Sequence, residues 1–216
     1  DRLYQLPLGL IGIAVGVAML PRLSRMVVNE DHAGARSALD EAVALAMAFT
    51  LPAAAAMMAA PVFLIDGLFA RGAFTSEDAA MVGQALFHYG WGVPAFVLAK
   101  IYAPAFFARD DTRAPMRYAI VSMVLNIAFG AALFFFLRSQ GVPGFPGLAI
   151  ATSLAAWVNV LLMIRSLVKR GAYAPTPAAF GRLARIGLAT AVLWAVMATM
   201  AVNREALAGL FFGSKE

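Results

Sequence analysis

The chain has 216 residues, 62% of them hydrophobic and only 13% charged, and its formal net charge is +5. Soluble domains carry about 25% charged residues, and the apolar residues here run unbroken over lengths that cross a bilayer, so composition excludes an ordinary soluble enzyme and implies an all-α polytopic membrane protein. Zero cysteines exclude disulfides and thiolate metal sites. The basic excess lies between the apolar runs, where cytoplasmic flanks of membrane helices carry it, and is read through topology rather than as a nucleic-acid surface.

Six spans are predicted. The first, Leu3–Leu23, follows Asp1 and Arg2 and is closed by Arg22 and Arg25. About twenty residues at ~1.5 Å rise cross a hydrocarbon core of roughly 30 Å. Gly9, Gly12 and Gly16 share one stripe of it, and the GxxxG formed by the last two reads as close packing inside the bundle rather than homodimerisation. The second span, Ala42–Ile65, has a weak capping box ahead of it at Ser37-Ala38-Leu39-Asp40, and Pro52 and Pro61 bend it. The third, Ala79–Ala99, opens on the capping box Thr75-Ser76-Glu77-Asp78 and presents Gln84 and His88 on one face. The fourth, Tyr118–Leu137, has Pro115 in its first turn and a stripe of Ser122, Asn126 and Gly130. A tight turn from Gly141 to Gly147, with Pro143 and Pro146, leads into the fifth, Gly147–Ile164, which carries Thr152 and Asn159; the sixth is Ile186–Val202. Alternating ten-residue segments of a β-barrel are absent, and the spans read as one compact bundle.

Loop charges orient the bundle. The connections after the first, third and fifth spans hold twelve of the seventeen Lys and Arg, the opposite side holds four, and Arg2 is the remaining one. The positive-inside rule makes the first set cytoplasmic, so the first span runs inward with Arg2 at its outer end. The chain starts one charge pair before a span, with neither Met nor a basic leader, and reads as a fragment of a longer protein.

Arg2 has two readings of equal weight on these grounds. At headgroup level it is a snorkelling anchor. Deeper, where a charge costs ~2.5–3.5 kcal/mol or more, it faces a hydrated cavity and suits an anionic group such as phosphate. Gln84 and His88 either bond a neighbouring helix or mark a pathway, the former being the commoner case, and a lone His makes no metal site. The Asn126 and Thr152 stripes offer oxygen ligands to a small cation or hydrogen bonds between helices; with no carboxylate nearby, hydrogen bonds are favoured. Glu77–Asp78 and Asp110–Asp111 read as solvated caps. Phosphate-loop, HExxH and GxSxG patterns are missing, which argues against conventional enzyme chemistry.

Four stretches, in order, carry a resemblance. DRLYQLPLGLIGIAVGVAMLPRLSR resembles the signature of the MurJ/MviN family of lipid II flippases, in which a DR pair precedes a helix ending in LPxLS. LFARGAFTSEDAAMVGQALFHYGWGVPAF, KIYAPAFFARDDTRAPMRYAIV and GLAIATSLAAWVNVLLM resemble the outer loop with its helix, the cytoplasmic AFYAxxDTxTP segment and a later helix of the same family. The resemblance implies a bundle of fourteen helices, two six-helix lobes plus two extra helices, within the superfamily of multidrug and polysaccharide exporters. Residues 1–185 then correspond to helices eight to twelve of the C-terminal lobe with the following cytoplasmic loop, and 186–216 to helix thirteen and a truncated tail.

What the resemblance implies for function is movement of undecaprenyl-pyrophosphate-linked peptidoglycan precursor across the bacterial inner membrane, from the cytoplasmic to the periplasmic leaflet. Arg2 stands at the arginine of the family's DR pair and takes the role of a cavity arginine contacting substrate, with Asp1 as its orienting partner; the N-terminal lobe is the missing partner. A sodium site described in some members would place ligands at Asn126 and Thr152, but Gly130 stands where an acidic ligand is expected. Alternative readings are a related polysaccharide-lipid or multidrug exporter and, in another class, a membrane-embedded polyprenyl-phosphate enzyme. That enzyme would need acids clustered at membrane depth to hold Mg²⁺.

Overall fold

The computed structural model describes residues 5, 9, 14–69 and 74–202. Its described helices are α1 (Ala14–Val28), α2 (His32–Ala59), α3 (Pro61–Phe69), α4 (Ser76–Gly90), α5 (Val93–Phe107), α6 (Arg113–Ser139), α7 (Phe145–Lys169) and α8 (Pro177–Val202). Five stretches are long and apolar enough to cross a membrane: α2, the nearly continuous pair α4–α5, α6, α7 and α8. Of the first expected span only residues 5, 9 and 14–23 are described, so the count of six rests partly outside the described residues.

Several helices extend past their apolar runs, and at α2 and α4 a capping side chain marks where the helix begins. Asp31 caps α2, accepting from the Gly34 amide at 2.8 Å. The expected cap at Ser37–Asp40 is therefore wrong, since those residues lie a turn or more inside the helix. Pro52 is tolerated within α2, whereas Pro61 ends it. The residue before a proline is pushed out of the α region, and Ala60 sits at φ −140°, ψ 53°. Thr75 and Asp78 form the predicted reciprocal box ahead of α4. Pro115 occupies the first turn of α6, where Asp111 accepts from the Ala114 amide at 2.9 Å. The predicted Gly141–Gly147 turn is shorter than expected, because α7 already starts at Phe145 with Pro146 in its first turn. The last helix begins at Pro177 rather than Ile186, with Arg182 and Arg185 inside it.

Helices α6 and α7 form the most extensive pair; α7 also packs on α4 and α5, α1 on α2 and α5, and α8 on α2. Leu23, Leu39, Val97, Ile101, Phe106, Val160 and Leu167 are buried among them. The outer faces of α6 and α8 expose Ile127, Phe135, Leu188 and Val192, as lipid-facing helices do.

The connections that the charge count assigns to the cytoplasmic side are tied together by polar contacts. Asp40, only 1% exposed, accepts from the Tyr173 hydroxyl at 2.7 Å and from both the amide and the hydroxyl of Thr176, at 3.2 and 2.7 Å. It thus clamps α2 to the α7–α8 connection, and the Tyr102 ring lies 5.7 Å from that of Tyr173. Arg109 donates to the carbonyls of Ala105 and Ala172, at 2.7 and 3.2 Å, and Arg170 pairs with Asp111 at 2.5 Å while lying over the Phe106 ring. Three connections that the charge count assigns to one side therefore meet at one end of the bundle.

Candidate functional site

Lys100 is the main departure from the sequence reading, which placed it in a cytoplasmic loop. It lies inside α5, with Ile101–Phe107 still to follow. Seven residues correspond to about 10 Å of helix, so its backbone stands about two turns inside the end of α5 rather than in the connection. Charged residues within membrane helices usually face a bundle interior or a hydrated cavity rather than lipid. The uncharged run IYAPAFF after the lysine was the signal that the helix continues.

Lys100 lines a cleft of about 410 Å³ between α5, α6 and α7, together with Ser122, Asn126, Thr152 and Asn159. Each polar residue arrives by helical spacing: Ser122 and Asn126 are four apart on α6, and Thr152 and Asn159 seven apart on α7. The Thr152 hydroxyl lies 2.8 Å from the Leu148 carbonyl and 3.3 Å from Asn126 Oδ1, and Ser122 donates to the Ala155 carbonyl at 2.7 Å. The two predicted stripes are thus brought together by the hydrogen bonds between helices that were favoured for them. Asn159 Oδ1 is buried without a hydrogen-bond partner. Gly130 is buried next to the Leu148 side chain and brings no oxygen from a side chain.

Sodium is bound by oxygen ligands that offset its charge. Here the side-chain oxygens are neutral, and an ammonium lines the same space. Among the described residues no cluster of three or more His, Asp or Glu could hold a metal ion.

Gln84 and His88 do share a face, as predicted, but they line a different, mostly apolar cavity of about 390 Å³ with Pro61, Val62, Leu137 and Pro146. The His88 ring meets Phe87 edge-on at 5.3 Å, and the His88 carbonyl accepts from Ser153 at 2.7 Å. Arg2 and Asp1 lie outside the described residues. Of the expected glycine stripe, Gly16 packs against α5, Gly9 has nothing within 4 Å of an added Cβ, and Gly12 lies outside the described residues.

A family model matches the sequence of this chain. The model described as lipid II flippase MurJ covers residues 1–212. The chain belongs to the lipid II flippase MurJ family. It is 39% identical over 197 residues to the probable lipid II flippase MurJ of Rhizobium meliloti (strain 1021), a match covering 91% of this chain and 36% of the relative. It is 36% identical over 193 residues to the protein of the same name from Vibrio cholerae, covering 89% of this chain and 36% of that one. The chain therefore spans little more than a third of the MurJ relatives it matches. A solved structure titled "Lipid II flippase MurJ, inward closed conformation" superposes with a TM-score of 0.73 at 22% identity, over 90% of this chain and 38% of that one. That likeness shows a shared fold, with the order of the MurJ helices reproduced across nearly the whole chain.

Proposed function

We propose that this chain is part of a flippase that carries undecaprenyl-pyrophosphate-linked peptidoglycan precursor from the cytoplasmic to the periplasmic leaflet of the bacterial inner membrane. The observation that carries this reading is the family match across residues 1–212. The protein acts as a transporter rather than an enzyme: six spans from this chain join further helices in a second lobe, and alternating access opens the space between lobes to one side at a time. The physical task is to shelter a diphosphate and sugars while the lipid tail stays in the bilayer, which a cationic, polar cavity does. Arg2 contacts the diphosphate, Asp1 orients it, and Gln84 and His88 lie along the outer side of the path. Sodium coupling, which the resemblance brings in, would need its anionic ligand from beyond this chain.

The test restores the full-length gene in cells depleted of their own flippase and compares wild type with Arg2→Ala and Arg2→Lys. Wild type is expected to restore growth and periplasmic delivery of precursor, Arg2→Ala to fail, and Arg2→Lys to restore them in part. Failure of wild type would sink the flippase reading, and normal delivery by Arg2→Ala would sink the role of Arg2 alone.

A further inference from the structure

We infer that Lys100 contacts the phosphate of the transported lipid, in a cleft shaped for an anion that also bears hydroxyl or amide donors. The inference rests on the flippase reading above and adds a second cationic contact, on α5, to the one proposed at Arg2. Lys100 is the only charged residue among those described lining the cleft, and no carboxylate there neutralises it. It is exposed although it lies within α5, so the ammonium has donors to offer. Phosphate oxygens accept such donors, and a charge-assisted bond of this kind is stronger than a neutral one.

The rest of the cleft asks for the opposite partner. Asn159 Oδ1 is buried and accepts nothing, and a buried acceptor without a donor is costly, which favours a ligand that supplies one. Phosphate at neutral pH has little to donate, whereas a sugar hydroxyl or an acetamido N–H does. The hydroxyls of Ser122 and Thr152 already point at backbone carbonyls, which leaves their oxygens as further acceptors. A lone ammonium beside several neutral acceptors matches a sugar phosphate and repels a metal cation.

The rival reading is that Lys100 only snorkels to the cytoplasmic headgroups. The two separate by binding to the purified full-length protein in detergent. The probes are lipid II, geranylgeranyl diphosphate and the uncharged geranylgeraniol, and the variants are Lys100→Met, Lys100→Gln, Lys100→Arg and Asn159→Leu, with thermal midpoints followed in parallel. Lys100→Met and Lys100→Gln are expected to weaken both phosphate-bearing lipids about tenfold or more and to leave geranylgeraniol unchanged, with Lys100→Arg recovering most of the loss. Asn159→Leu is expected to weaken lipid II but not geranylgeranyl diphosphate, which has no sugar. The proposal is overturned by Lys100 variants that bind both phosphate lipids within twofold of wild type, by an equal loss for geranylgeraniol, or by saturable stabilisation with sodium that Lys100→Met strengthens. If wild type binds geranylgeranyl diphosphate through Lys100 but does not bind lipid II, the flippase reading falls and the phosphate contact stands.

Discussion

Gly16 on α1 lies directly against the carbonyl of Lys100 on α5, so close that a Cβ on the glycine would stand 2.6 Å from that oxygen. The first of the described helices is thus seated on the backbone of the residue that lines the polar cleft. Small residues permit this approach, and in lipid such packing takes the place of the hydrophobic drive between helices.

Gly16→Ala is therefore expected to push α1 away from α5 and to destabilise the protein by about 1–3 kcal/mol, the range for overpacking a tight contact. Gly187→Ala on α8 is the control, since nothing lies within 4 Å of an added Cβ there. Alanine is the better helix former, so that variant is expected to be neutral or slightly stabilising. Thermal midpoints in detergent check both, and an unchanged midpoint for Gly16→Ala would remove the proposed seat.

The Asp40 clamp predicts a graded series. Tyr173→Phe removes one of its three hydrogen bonds and is expected to cost about 1 kcal/mol. Asp40→Ala leaves the Tyr173 hydroxyl and the Thr176 amide and hydroxyl without their acceptor, for an expected loss of roughly 3 kcal/mol or more. Denaturant midpoints for the two variants check the order; equal losses would mean that the carboxylate is not the hub of the connection.

Alkaline pH tests the same clamp from another side. Burial, then the neighbouring Tyr102 and the bond to Asp40, push the Tyr173 phenol well above its ordinary value of 10.0. The folded-state value lies above the unfolded one, so this contribution to stability is fully present below about pH 10 and is lost as pH rises beyond it. Wild type is expected to lose stability more steeply above pH 10 than Tyr173→Phe, which has no phenol to ionise. Parallel alkaline limbs in the two proteins would contradict the assignment.

Thr75→Ala removes half of the reciprocal box before α4, in which Thr75 N–H donates to Asp78 at 2.9 Å and the Asp78 amide to the Thr75 hydroxyl at 3.3 Å. The start of α4 is expected to fray, with faster amide hydrogen exchange over Ser76–Ala79 and no change in α6. Protection equal to wild type at those amides would show that the box is dispensable.

Hydropathy made the long apolar helices legible, and local chemistry made some of their ends legible, such as Thr75 with Asp78 and Pro115 in the first turn of α6. The errors came where a polar residue was taken as a boundary. Lys100 and Asp40 are charged, and a window of mean hydropathy treats a charge as the edge of a span. In the structure both lie inside helices, one lining a cleft and the other satisfied by Tyr173 and Thr176, partners more than 130 residues away. Such partners cannot be seen from local pattern. The meeting of Asn126 with Thr152 was foreseeable as two stripes of polar residues at helical spacing; their union with Lys100 required the packing of α5 against α7.

The Asp40 clamp also dictates an order of assembly. Asp40 leaves the ribosome 133 residues before Tyr173, and α8, which the clamp anchors to α2, is made later still. During synthesis, α2 must therefore enter the membrane with its carboxylate served by water or headgroups. It exchanges those for Tyr173 and Thr176 only once α7 has crossed and its connection has returned to the same side. A nascent chain stopped before Tyr173 should keep Asp40 accessible to water, and the closing of that contact marks the moment at which the last described helix is locked onto the bundle.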